Sequence, residues 1–332
     1  MAEPDLAQAL AQRWASMSRP VRQNWAVAIT MRTASVHGVT MAYREGGTGD
    51  PLVFLHGNPT SSYLWRDVLP GVEHLGRCLA PDLIGMGDSE KLPASGPGSY
   101  RLVEHRHYLD ALLRQLGVTD RVVLVGHDWG AVLGIDWARR HPQAVRGIAY
   151  LETLVAPVTS DGPNAPDPAF FGPLRTPEGE KLVLQDNAFV EHVLPAGTQR
   201  SLAGHDMAAY RRPYLQAGES RRPTLTWARE IPIDGTPADV DDLVRRNAAW
   251  MATAGGAQAV HQRRPRSLVD RRAAGGLSSL ASSARGHGER SALPTRGLPP
   301  RHRRLPQRMG ECPALTSLRL TSTPRRGVID ER

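Results

Sequence analysis

Apolar residues in the first half of the chain come in short blocks separated by helical patterns. Val122 to Val125 is an unbroken apolar run, Pro51-Leu-Val-Phe-Leu-His56 and Arg77-Cys-Leu-Ala-Pro-Asp82 are close to it, and Val145 to Glu152 closes the series. Such runs are expected of strands buried on both faces of a parallel sheet. Thr33 to Arg44 alternates apolar and polar, predicting one half-buried strand that turns at Glu45-Gly46-Gly47. Between the blocks, Tyr100 to Leu116 has the 3.6-residue period of a helix stopped by Gly117, and a second helical pattern starts after Gly130. Strands alternating with helices predict an α/β fold with a doubly wound, mostly parallel sheet, whose function sits at the carboxyl ends of its strands.

The pattern changes twice more. Residues 156–235 are Pro-rich loops and short helical pieces carrying Phe170, Phe171, Phe189, Pro223 and Trp227. They read as a helical cap inserted after the sixth strand and roofing a mostly apolar pocket, followed by a return to the core over 236–252. After Met251 the periodicity ends: Thr253 to Arg332 holds no Phe, Trp or Tyr and one Ile, Ile329. The expected organisation is an N-terminal extension at 1–32, a core at 33–155, the cap at 156–235, the return at 236–252, and a disordered tail at 253–332. In the extension, Leu6, Leu10, Trp14 and Met17 fall at helical spacing. This fits a docking helix, or sequence upstream of a later start at Met17 or Met31.

Charge follows the same division. The net charge of +8 is carried by the tail, which has 16 Arg, no Lys and 5 acids, whereas the first 252 residues hold 25 basic and 28 acidic residues. A nucleic-acid-binding arm is one reading of such a tail, but the body gives it no support. No apolar run reaches the length of a membrane span and no signal peptide is visible, so a soluble cytoplasmic protein is expected, with no membrane partner. Cys78 and Cys312 have no metal-type spacing, and neither a metal nor a cofactor is expected.

The sharpest local signal is Gly126-His127-Asp128-Trp129-Gly130, between a strand and a helix. Small residues flanking a central nucleophile in a tight strand-to-helix turn form a nucleophile elbow. The bland alternative is a βα turn with Asp128 as a helix cap. A carboxylate nucleophile attacks amides poorly. It can displace a leaving group from tetrahedral carbon to give an alkyl ester, which base-activated water then hydrolyses. Carbon–halogen bonds and epoxides are substrates of that kind. Asn58, in the loop after the 51–56 run, offers a side-chain amide that can donate to an anion, or serves an Asn-Pro turn.

From about Ser35 to Met251 the chain resembles the haloalkane dehalogenases, α/β-hydrolases with a helical cap. Four matches occur in that family's order: His56-Gly-Asn-Pro-Thr-Ser-Ser-Tyr-Leu-Trp65, Asp82-Leu-Ile-Gly-Met-Gly-Asp-Ser89, Gly126-His-Asp-Trp-Gly130 and Val183-Leu-Gln-Asp-Asn-Ala-Phe-Val-Glu191. The third is shared with epoxide hydrolases. The resemblance implies that Asp128 is the nucleophile, that Asn58 and the Trp129 N–H bind the leaving halide, and that Glu152 orients a catalytic His. Phe171, Phe189 and Trp227 are the expected pocket residues. A haloalkane and water are the expected reactants, for a protein expected to be a monomer. Tyr210 and Tyr214 keep an epoxide hydrolase open as the alternative, since that chemistry protonates an alkoxide from cap tyrosines. Ala228 stands where close relatives tend to have Pro, a change expected to loosen the pocket wall.

The resemblance stops where the family's catalytic His should follow. Back-translations of Ala257–Leu268 and His287–Pro299, read one base later, give Pro-Lys-Leu-Phe-Ile-Asn-Ala-Asp-Pro-Gly-Ala and a stretch containing His-Phe-Leu-Pro-Glu-Asp-Ser-Pro. These resemble a family strand and the family's histidine signature, in the right order, and the His codon would overlap that of Ala292. A frameshift near codons 252–256 is therefore expected. It would leave His261, His287 and His302 as incidental residues and the enzyme impaired.

Overall fold

The computed structural model describes residues 29–163 and 165–253, and the backbone of 258–261. Among these described residues, seven strands form one sheet in the order β1-β2-β4-β3-β5-β6-β7. They are β1 (Thr30–Val36), β2 (Val39–Gly46), β3 (Pro51–Leu55), β4 (Arg77–Pro81), β5 (Val122–His127), β6 (Val145–Leu151) and β7 (Gln258–His261). The two pairings among β1, β2 and β4, β1 with β2 and β2 with β4, are antiparallel, whereas β4-β3-β5-β6-β7 is parallel throughout. This is the doubly wound, mostly parallel α/β sheet that the alternating blocks predict.

Two features depart from the sequence reading. The alternating stretch Thr33–Arg44 is a hairpin rather than one strand. His37 and Gly38, both at positive φ, form its two-residue turn, and such turns match the twist of the flanking strands. Alternation continues across a tight turn, so the pattern alone does not show the break. Within the segment expected to lie outside the sheet, Gln258–His261 pairs in parallel with β6, from Ile148↔Gln258 to Leu151↔His261. A ladder uses backbone groups that every non-proline residue carries, and β7 is the last strand of the described sheet. The helical pattern at Leu6–Met17, and the expectations for residues beyond 261, lie outside the described residues.

The apolar runs divide by alternation into two cores. Leu52 and Phe54 of β3 pack on one face with Trp65, Val68, Leu69 and Val72. Val53 and Leu55 pack on the other with residues of α1 (Leu102–Gln115) and α2 (Trp129–Arg140), including Leu109, Leu112, Val132 and Leu133. Each face is covered, so the strands carry apolar residues at every position. The inserted segment consists of short pieces, among them α3 (Pro168–Leu174), α4 (Gly204–Arg211) and α5 (Arg222–Arg229), and the chain then returns through α6 (Ala238–Thr253). Lys181–Gln185 and Phe189–Val193 are π-helical turns. Phe170, Phe171, Leu174, Phe189, Leu225 and Ala228 form the inserted segment's own core. No helix among the described residues is long and apolar enough to cross a membrane.

Candidate active site

Asp128 sits where β5 turns into α2, with φ 54° and ψ −128°. This is a region that residues bearing a Cβ rarely occupy, and holding it costs on the order of 1–3 kcal/mol. The surroundings fix it through the backbone. Asp128 N–H donates to the Leu151 carbonyl at 3.1 Å, and its own carbonyl accepts from Thr153 Oγ1 at 2.7 Å and from Ala131 N–H at 3.1 Å. Gly130 lets the helix start pass the end of β3, since a Cβ there would lie 2.3 Å from the His56 carbonyl oxygen and 2.4 Å from that of Leu55. The motif is a strained strand-to-helix elbow rather than a capped βα turn, and the Asp128 side chain makes no capping bond to α2.

The carboxylate is half-buried and directed at the loop after β3. The Asn58 backbone N–H donates to Asp128 Oδ1 at 2.8 Å, and the Trp129 backbone N–H is near enough to favour the ionised carboxylate. Gly57 makes this approach possible, because a Cβ there would lie 2.2 Å from Oδ1. Loss of water raises the Asp128 pKa above the usual carboxylate range, while neighbouring His127 and these two N–H donors pull it back. The result is an ionisable carboxylate short of solvating water, which favours attack on carbon.

Of the residues singled out from sequence, Asn58, Asp128, Trp129 and Trp227 come together. The two indoles stack with centroids 4.7 Å apart and planes 22° apart, so Trp227 of the inserted segment lies directly on the first residue of α2. The Asn58 amide is shared: Nδ2 donates to the Thr224 carbonyl of α5 at 3.0 Å. One of its two N–H bonds therefore ties the loop to the inserted segment. Phe171 and Phe189 belong to the inserted segment's own core, each packed with Phe170 at centroid distances of 4.9 and 5.8 Å for the respective pairs. Ala228 is buried in the same cluster. Tyr210 packs edge-on to Tyr63, and Tyr214 lies under the Lys91 ammonium, 4.5 Å from its ring centroid.

Glu152, at the end of β6, faces His127: Nε2 donates to Oε2 at 3.1 Å. Burial alone would lower the His127 pKa, but the carboxylates of Glu152 and Asp128 outweigh it and raise it. Sequence reasoning saw His127 only as filler inside the elbow motif. It also passed over two anchors of the site. His56 accepts from the Leu83 N–H at 2.9 Å and lies 3.0 Å from the Gly57 carbonyl through its other nitrogen. The Asp82 carboxylate accepts from the Ser62 and Asp88 N–H groups at 2.6 and 2.8 Å, tying two site loops together. Both anchors stand in motifs whose spacing was visible, but only the loop closure shows their partners. Among the described residues no group of three or more His, Cys, Asp or Glu side chains is placed to hold a metal.

Comparison with known proteins agrees with this architecture. The profile of the α/β hydrolase fold matches residues 50–238. A haloalkane dehalogenase of Sphingobium indicum is 57% identical over 218 residues, covering 65% of this chain and 73% of that protein. The crystal structure of the haloalkane dehalogenase DbeA from Bradyrhizobium elkani superposes with a TM-score of 0.68 at 41% identity, over 76% of this chain and 86% of that one. The coelenterazine h 2-monooxygenase of Renilla reniformis is 43% identical over 203 residues, covering 60% of this chain and 64% of that protein. One scaffold thus serves more than one chemistry, so activity has to be argued from the site itself.

Proposed function

This chain belongs to the haloalkane dehalogenase family of α/β-hydrolases, and from that premise we propose that Asp128 displaces halide from the carbon of a haloalkane, forming an alkyl ester. The observation that carries this reading is the desolvated Asp128 carboxylate, held on a strained elbow by the Asn58 and Trp129 N–H groups. One carboxylate oxygen attacks carbon as the halide leaves with the bonding electrons. The departing anion enters a site with little water, where fixed N–H donors stabilise it more than bulk solvent would. The Trp129 indole N–H and the remaining Asn58 amide N–H are the donors. Trp227 packs beside them, and Phe171 and Phe189 form the outer wall of the substrate pocket. An alkane carrying a halogen on saturated carbon is the substrate class; in the complete reaction water is the second reactant, and the products are alcohol, halide and a proton.

The second half-reaction needs a base that deprotonates water against the Asp128 ester. In the family reading Glu152 orients that base, a histidine from the C-terminal part of the chain. Here Glu152 is paired with His127, and the segment after Met251 departs from the family pattern, as a frameshift near codons 252–256 would make it. The proposal is accordingly one halide per chain, followed by a trapped alkyl-enzyme.

The test is to mix the protein with an excess of 1-bromobutane and measure bromide and intact mass. Close to one bromide per protein, with one added butyl group on Asp128, supports the proposal. Sustained turnover overturns its second half, and no bromide overturns the first. Resequencing codons 245–260 tests the frameshift: a base missing or added against sibling strains supports it, and an undisturbed frame sinks it.

A further inference from the structure

His105, on α1, has no place in the chemistry above, yet it is fully buried. Neither of its ring nitrogens has a hydrogen-bond partner among the described residues. Burying a group that can donate and accept without letting it do either is costly, and a phenylalanine would avoid the cost. The ring position therefore needs an explanation that its nitrogens do not supply.

That explanation lies in what the ring touches. The imidazole lies flat on Trp227, with centroids 4.2 Å and planes 16° apart. Trp227 presents its other neighbour, Trp129, at 4.7 Å and 22°. Trp227 is itself 0% exposed, and its indole N–H is turned to Met86 Sδ at 3.3 Å. The three stacked rings come from three separate elements: α1, the inserted segment's α5, and the elbow helix α2. Burial, with a smaller push from His56, lowers the His105 pKa to about 3, so at neutral pH the outer ring is an uncharged aromatic. An uncharged, parallel ring restricts the tilt of the indole against it without drawing water into the stack.

We propose that His105 is a positioning residue that acts through Trp227 to hold the Trp129 indole in the orientation required for halide binding. This rests on the reading of Trp129 as a halide donor. It goes beyond that reading by making a helix outside the site responsible for the site's affinity. Trp129 is fixed from its own side by the elbow backbone, but its ring has a facing partner in Trp227, and that partner is backed by His105. The ring and its shape do this, whereas the nitrogens contribute nothing.

The experiment is an equilibrium titration of the full chain with sodium bromide, following the part of the tryptophan fluorescence change that disappears in Trp129→Phe. His105→Phe keeps a ring in the stack, and its bromide affinity is expected within about twofold of the parent. His105→Leu removes the ring at similar volume and is expected to weaken bromide by roughly three- to tenfold, the range of one lost aromatic pair. If His105→Leu does not fold, His105→Met makes the same test. A non-aromatic variant that binds bromide like the parent overturns the proposal. So does a His105→Phe variant as weak as His105→Leu, which would assign the role to a nitrogen. A parent with no Trp129-dependent response overturns the halide-site reading itself, and this inference with it. An intact response that ignores His105 overturns this inference alone.

Discussion

The two carboxylates at the carboxyl end of the sheet stand in contrasting surroundings. Asp128 is enclosed, strained, and bonded by N–H groups from within the elbow and from the neighbouring loop. Glu152, one strand away, has a side chain 61% exposed and is bonded to the residue that precedes Asp128. The first is built by β3, β5 and α2, which all lie inside the matched region. The second stands just after β6, also inside that region, and is bonded back to the elbow through His127. The contrast is one of enclosure: Asp128 is held from several directions by nearby segments, whereas Glu152 stands open to solvent beside His127.

Breaking the enclosed half has the largest expected effect. Asp128→Ala removes the attacking group, and bromide release should fall by more than about 10³-fold, with no added mass on the protein. Gly57→Ala leaves every catalytic group present but places a Cβ about where Oδ1 now lies, 2.2 Å away. Displacing a nucleophile by an ångström costs roughly 10²-fold in rate, which stopped-flow halide release would measure. Trp227→Ala opens the ring stack at the boundary between core and inserted segment. An unfolding free energy lower by about 3–5 kcal/mol is expected in urea titrations, as for other buried aromatics cut to Ala.

Acid titration sharpens the comparison at a smaller scale. His56 and His105 are buried and neutral, with pKa values lowered to about 4 and about 3, whereas in the unfolded chain a histidine titrates near 6.5. The unfolded state therefore binds more protons than the folded one. Stability is present above about pH 6.5 and is lost as pH falls towards the folded values, by about 1.4 kcal/mol per pH unit for each group. Asp82, raised to about 6 by burial, works the other way between pH 6 and 4, because its folded state binds the proton first. Replacing His105 by Phe removes one histidine from this balance. The variant should lose about 1.4 kcal/mol less per pH unit than the parent between pH 5 and 4. A parallel pH dependence in parent and variant would show that His105 is not neutral in the fold.

The smallest effect is expected on the exposed side. Glu152→Gln should change stability by less than about 1 kcal/mol, since the carboxylate it removes is largely exposed. It should also lower the His127 pKa, as the carboxylate now raises it; histidine proton resonances followed against pH would show the change. A large loss of stability would mean that Glu152 belongs to the buried framework, and the contrast between the two carboxylates would fail.

Much of this was legible in one dimension. The unbroken run Val122–Val125, the two glycines around Asp128 and the helical pattern behind them specify an elbow, because each link is a near-neighbour requirement of the backbone. The loop with Asn58 and the aromatic content of the inserted segment were also visible. What the pattern could not show were choices made between distant segments. Glu152 pairs with His127 across neighbouring strands, the Asn58 amide is partly taken by the Thr224 carbonyl, and β7 joins the sheet through backbone bonds that its side chains do not advertise.

The sequence by itself determined the alternation of strands and helices from β3 to β6, the carboxylate at the elbow and the loss of family pattern after Met251, because periodicity, glycine spacing and side-chain chemistry are properties of neighbours along the chain. Only the tertiary structure decided how the Asp128 carboxylate is solvated, which groups Asn58 and Glu152 face, and that His105, Trp227 and Trp129 stack. Those outcomes depend on which surfaces lose water together, and burial is a property of the folded whole.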